Sequence, residues 1–74
     1  MKNLCEAGDK ECLKIVKIES EQLSIKRRLL ELGFLPGRKV KIAKKSLSKK
    51  TILVEIEGYL LAIRCTVAQA IFVE

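Results

Sequence analysis

Ile25-Lys26-Arg27-Arg28-Leu29-Leu30-Glu31-Leu32-Gly33-Phe34-Leu35-Pro36-Gly37 is the stretch on which the fold turns. Ile25, Leu29 and Leu32 recur at helical spacing and Leu30 widens the apolar stripe, while Lys26, Arg27 and Arg28 fall on the other face. The pattern predicts one amphipathic helix of about three turns over residues 21–32. Ser20 stands where an N-cap belongs. Gly33 stands where a left-handed C-terminal cap belongs, and Pro36 prevents continuation. Pro36-Gly37 suits the two central positions of a type II turn.

The flanking segments change period from helix to strand. Upstream, Cys12 to Glu19 is rich in β-branched residues and roughly alternating, with a slip at Ile15-Val16 that predicts a bulge or a strand covered on both faces. Downstream, Arg38 to Lys45, Thr51 to Glu57 and Tyr59 to Arg64 read as a three-strand antiparallel meander, with Gly58 in the tight turn between the last two. Thr66-Val67-Ala68-Gln69 has the form of a capping box and predicts one helical turn. Ile71-Phe72-Val73 closes the series as a short strand. Five short strands around a small apolar centre predict an SH3-like five-stranded barrel. One α-helix is inserted between its first and second strands, and a short helical turn precedes its last. An OB-fold would place its helix later. Residues 1–74 read as one domain, and residues 1–11, mostly polar, as a loosely ordered N-terminal arm.

Composition removes several function classes. The chain has 74 residues, no His and no Trp, so no imidazole is available as a base or a metal ligand. Phe34, Tyr59 and Phe72 are too few aromatics for a base-stacking platform. Glu55 and Glu57 share a strand face, but nothing in the sequence marks a pocket that would perturb them. The expectation is that the protein is not an enzyme. The longest apolar run, Tyr59 to Ile63, is far too short to cross a bilayer, and Met1 to Glu11, without an apolar core region, is not expected to act as a signal peptide. A cytoplasmic protein with no direct membrane insertion is expected.

Cys5, Cys12 and Cys65 are odd in number and lack the spacing of a disulfide framework. The expectation is that Cys12 and Cys65 fill small buried positions and that Cys5 lies in the loose arm. Cys5 and Cys12, seven residues apart, and Glu55 with Glu57 are weak candidates for a metal site. The net charge of +6 is uneven: Lys26 to Lys50 holds ten basic residues against Glu31, a local +9 on a remainder of −3. Such a stripe suits a solvated face, a nucleic acid, or an acidic protein or membrane surface.

The run Arg28 to Gly37 resembles the "RL-x-x-LG-x-x-PG" signature of the ferrous iron transport protein A domain family. Ile15-Val16-Lys17-Ile18, Val54-Glu55-Ile56-Glu57-Gly58-Tyr59, Leu61-Ala62-Ile63-Arg64 and Ala68-Gln69-Ala70-Ile71-Phe72-Val73 resemble its further motifs in order, and Glu6-Ala7-Gly8 resembles its lead-in with the usual leucine displaced. Two features depart from the family. The loop Ser46 to Thr51 lacks the family's proline-containing sequence, and Cys65 stands where a polar residue is usual. The resemblance implies a free-standing accessory of the ferrous iron permease, acting by protein–protein contact with its cytoplasmic GTP-binding part. It also implies a possible association with a transition metal such as Fe(II). A nucleic-acid-binding module and a metal-responsive module are the alternatives, with nucleic acid ranked behind a protein partner.

Leu29, Leu32, Gly33, Pro36, Gly37 and Gly58 are expected to be structural: they dock, cap and turn the chain. The expected contact surface is Arg27, Arg28, Phe34, Leu35, Lys39 and Lys41, with Arg64 at the end of the fourth strand. Phe34 and Leu35 are read as exposed apolar anchors beside arginines.

Overall fold

The structure, a computed structural model, describes residues 1–48 and 50–74. Lys49 lies outside the described residues. Among the described residues six strands and two helices follow one another: β1 (Lys2–Asn3), β2 (Cys12–Ile18), α1 (Leu23–Glu31), β3 (Lys39–Lys45), β4 (Thr51–Ile56), β5 (Tyr59–Arg64), α2 (Cys65–Ala68) and β6 (Ile71–Val73). The strands form one sheet in the order β1-β6-β2-β3-β4-β5, antiparallel at every pairing. The sheet wraps a core that includes Leu13, Ile15, Val40, Ile42, Ile52, Val54, Ile56, Ile71 and Val73. The helix sits between the two long strands expected, and the short turn precedes the last strand. The sixth strand is the one not foreseen: Lys2 pairs with Val73 and Asn3 with Phe72.

Residues 1–11 are therefore not a loose arm. Asn3 and Glu6 form a reciprocal capping box around a single 3-10 turn, Leu4–Glu6. Leu4 and Ala7 are wholly buried, so two of the few apolar residues in this polar stretch belong to the core. Lys2 and Glu11 pair at 2.9 Å, and Lys45 reaches back to donate from Nζ to the Cys5 carbonyl at 2.8 Å. Cys5 and Cys65 form a disulfide across 60 residues of chain. The cysteine expectations fail accordingly: Cys65 is paired and only half-buried, and Cys12 is exposed rather than packed.

The bulge appears as expected, since the β2–β6 register shifts between Ile15 and Lys17. The helix starts later than predicted. Glu19 is still tied to Ala70 by an N–H to carbonyl bond of 2.8 Å, so the chain needs Ser20 to Gln22 to leave the sheet. Ser20 Oγ accepts from the Gln22 N–H at 3.1 Å, and Gln22, without a side-chain bond, occupies the cap position. At the other end Gly33 takes φ +107°. Its N–H bonds to the Leu30 carbonyl and that of Phe34 to the Leu29 carbonyl, both at 3.1 Å, which is the Schellman pairing. The Arg38 N–H bonds back to the Leu35 carbonyl at 3.1 Å around Pro36-Gly37, with Gly37 at φ +91° as a type II turn requires. Glu57 and Gly58 both have positive φ, so β4 and β5 join through a two-residue type I′ turn. The predicted helical turn begins two residues early. Arg64, not Thr66, is the cap of α2, because Cys65 is already bonded to the Lys50 carbonyl at 2.8 Å and the helix starts at the strand's end.

Candidate functional site

The Schellman pairing decides where Phe34 goes. In that motif an apolar residue after the cap glycine packs on the last helical turn, and Phe34 is wholly buried beside Leu29 in the core cluster. Phe34 is thus part of the core and not a surface anchor. Leu35, in the following turn, is half-buried. Leu29 is buried, while Leu32 and Ile25 are half-buried and packed against the core.

Between α1 and β5 lies a groove of about 290 Å³. Ile25, Leu29 and Leu32 form one wall; Leu61, Ile63 and Val67 form the other. Arg28 from α1 and Arg64 from the end of β5 line the same groove, and both are exposed. Among the described residues no carboxylate lines it. The helix stripe is wide enough to do two jobs: Leu29 fills the core, and its neighbours at helical spacing are left to face the cleft. Tyr59 fixes one end, its hydroxyl donating to the carbonyl of Leu32 and joining the start of β5 to the end of α1. The Cys5–Cys65 disulfide stands at the other, where β5 passes into α2.

The structure divides the basic stripe between two places. Arg27 lies on the outer side of α1 near Ser24 and Glu31, and Arg28 reaches the groove. Lys39 and Lys41 lie on the outer face of β3, alternating with buried Val40 and Ile42. There the charge is partly answered: Lys41 is in register with Glu55, and Arg38 pairs with Glu57 at 3.3 Å. Arg28 and Arg64 come together, although they are 36 positions apart.

The expected metal candidates do not form one ligand set. Cys5 is bonded to Cys65. Cys12, Glu55 and Glu57 share a shallow depression on the outer face of the sheet, with Lys39 and Lys41 among them. Among the described residues no group of three or more Cys, Asp or Glu side chains is placed to hold a metal ion. These residues do not make up the four-ligand set of a structural zinc site.

Sequence reasoning missed Leu61, Val67 and Tyr59. A signal existed for the first. After the clean alternation of β4, Tyr59-Leu60-Leu61-Ala62-Ile63 is apolar on both faces of its strand, and Leu60 is left 58% exposed. A strand that keeps apolar residues on its outer face is not finished for water alone.

The whole chain matches a known family: the model of the FeoA domain covers residues 2–74. The chain belongs to the FeoA domain family. Solved structures share this fold. A FeoA-like protein from Clostridium acetobutylicum superposes with a TM-score of 0.90 at 27% identity, over 99% of this chain and 84% of that one. FeoA of Stenotrophomonas maltophilia, complexed with zinc, gives 0.89 at 25% identity over 100% and 91%. That protein is described as a prokaryotic SH3 domain protein and suggested to be a ferrous iron transport activating factor. A manganese-dependent transcriptional repressor gives 0.90 at 19% identity over 99% of this chain but 35% of its own, a likeness of fold alone. No curated protein matches the chain by sequence. The SH3-like, mainly β expectation holds, with one strand more than foreseen. Among the described residues no helix of this FeoA domain is long and apolar enough to cross a membrane.

Proposed function

We propose that this FeoA domain is a cytoplasmic accessory of ferrous iron transport that docks on the cytoplasmic GTP-binding part of the iron permease. The observation that carries this reading is the groove between α1 and β5, apolar at its base and lined by Arg28 and Arg64. Apolar surface beside exposed arginines is the composition of a protein interface: the apolar part supplies affinity, and the charge steers and orients the partner. Docking asks of the chain only a shaped surface, which suits a domain whose described residues assemble no metal-ligand set. Ferrous iron is in this reading the permease's cargo. The zinc held by the Stenotrophomonas protein belongs to that protein.

The test is a titration of isotope-labelled FeoA domain with the permease's purified cytoplasmic domain. Resonances of Ile25, Arg28, Leu61, Arg64 and Val67 are expected to shift. The double variant Arg28→Glu with Arg64→Glu is expected to bind about ten-fold or more weakly while keeping a folded spectrum. A spectrum unchanged at saturating domain overturns the reading.

A further inference from the structure

We infer that the outer edge of β5 takes an extended acidic segment of a partner protein as an added strand, with alternate side chains of that segment entering the groove beside α1. The inference rests on the docking role proposed above and names the mode and chemistry of the contact. It starts from hydrogen-bond alternation. In an antiparallel pair, residues alternate between those that exchange both backbone bonds with the partner and those whose N–H and C=O point away. The two-residue turn closes on the bonded pair Ile56–Tyr59, so Glu55–Leu60 is non-bonded, Val54–Leu61 bonded and Leu53–Ala62 non-bonded. The bond from the Cys65 N–H to the Lys50 carbonyl, at 2.8 Å, continues the same alternation beyond Arg64. Leu60 and Ala62 therefore aim both backbone groups away from β4. Among the described residues β4 is the only strand beside β5, and no other backbone group bonds to Leu60 or Ala62.

The groove runs along this edge. Successive strand side chains point to opposite faces, and Leu61, Ala62, Ile63 and Arg64 all line it, as suits a groove that borders the strand's edge. Sheet edges are ordinarily blunted by short length, Lys, Pro or a bulge. β5 has six residues, an unbroken register with β4, no Lys and no Pro. A docked helix would satisfy its own backbone and leave the Leu60 and Ala62 groups unmatched; a strand pairs with them. The charge selects the segment. Arg28 and Arg64 line the groove, and among the described residues no carboxylate does and neither arginine is in an ion pair. Acidic residues flanking alternate apolar ones complete the match.

The probe is a synthetic heptapeptide alternating Glu or Asp with Val, blocked at both ends, together with two versions N-methylated on alternate residues in the two possible registers. Isotope-labelled full-length chain is titrated with each. The unmodified peptide is expected to slow hydrogen exchange at Leu60 and Ala62 by about ten-fold or more. One N-methylated version is expected to lose binding, and Arg64→Glu to weaken it about five-fold. Ala62→Pro removes an outward-facing N–H, a change edge strands tolerate. It should keep the dispersed spectrum and abolish peptide binding. Four results overturn the inference: no binding at millimolar peptide, binding without slowed exchange at these two amides, equal binding of both N-methylated peptides, or protection of the two amides by self-association of the chain alone. The permease's cytoplasmic domain separates the two proposals. If it binds and leaves both amides exchanging freely, the strand mode fails and docking stands; if the peptide protects them but the domain does not bind, the choice of partner fails alone.

Discussion

The sheet ends in two edges, β1 and β5, and they are finished in opposite ways. β1 is two residues long and turns at once into a capped 3-10 turn. It is held by the Lys2–Glu11 pair, by buried Leu4 and by the Cys5–Cys65 disulfide. A strand so short offers almost nothing for another chain to pair with. β5 is three times as long, apolar on both faces, and borders a groove. A protein that needed only to avoid sticking would have treated both edges like β1. The difference marks the β5 side as the one kept available.

The largest test of this comparison concerns what the two sides share. If the open side rests on the same core as the closed one, Phe34→Ala should cost about 3–5 kcal/mol in urea unfolding, because it empties a wholly buried site under the end of α1. A cost near zero would return Phe34 to the surface and dissolve the contrast. Next, opening the closed side: Cys65→Ser, or reduction of the Cys5 bond, should lower stability by about 2–4 kcal/mol, as expected for a link across 60 residues. Hydrogen exchange should then rise first in β1 and leave β4–β5 protected. Equal loosening of both sides would show that the disulfide supports the whole sheet. A smaller effect is expected on the open side, where Tyr59→Phe removes the bond to the Leu32 carbonyl and should cost about 1 kcal/mol. The smallest is a pH effect. The hydrogen bond from Lys2, and then that from the Gly8 N–H, hold the Glu11 carboxyl below its usual value. A lowered pKa in the folded state favours folding above the ordinary carboxylate range and loses that contribution as pH falls through the lowered value. Protection of Lys2 and Asn3 against exchange, measured relative to the intrinsic rate at each pH, should therefore fall in acid before any change at β5.

Much of the fold was legible because its signals are local. The stripe at Ile25, Leu29 and Leu32, the cap at Gly33, the Pro36-Gly37 turn and the Glu57-Gly58 hairpin each act within a few residues. What stayed hidden depends on distant partners. Leu4 and Ala7 look too sparse to hold an arm in place until β6 and α2 supply the surface they enter. Cys5 and Cys65 are sixty residues apart, and an odd cysteine count argued against pairing any of them. Phe34 was misread because a loop position suggested exposure, while the bonds around Gly33 turn it beneath the helix. In the candidate site Arg28 and Arg64 could each be picked out, but their meeting across one groove is tertiary.

The pairing of Lys2 with Val73 has a consequence of another kind. It brings the first and last strands side by side, so a longer polypeptide can enter and leave this fold at neighbouring points. Such a unit can be set into a host protein as a cassette without stretching the chain on either side. The repressor whose structure matches this one carries the fold in about a third of its length. A FeoA domain is in that sense portable, and the open edge of β5 travels with it.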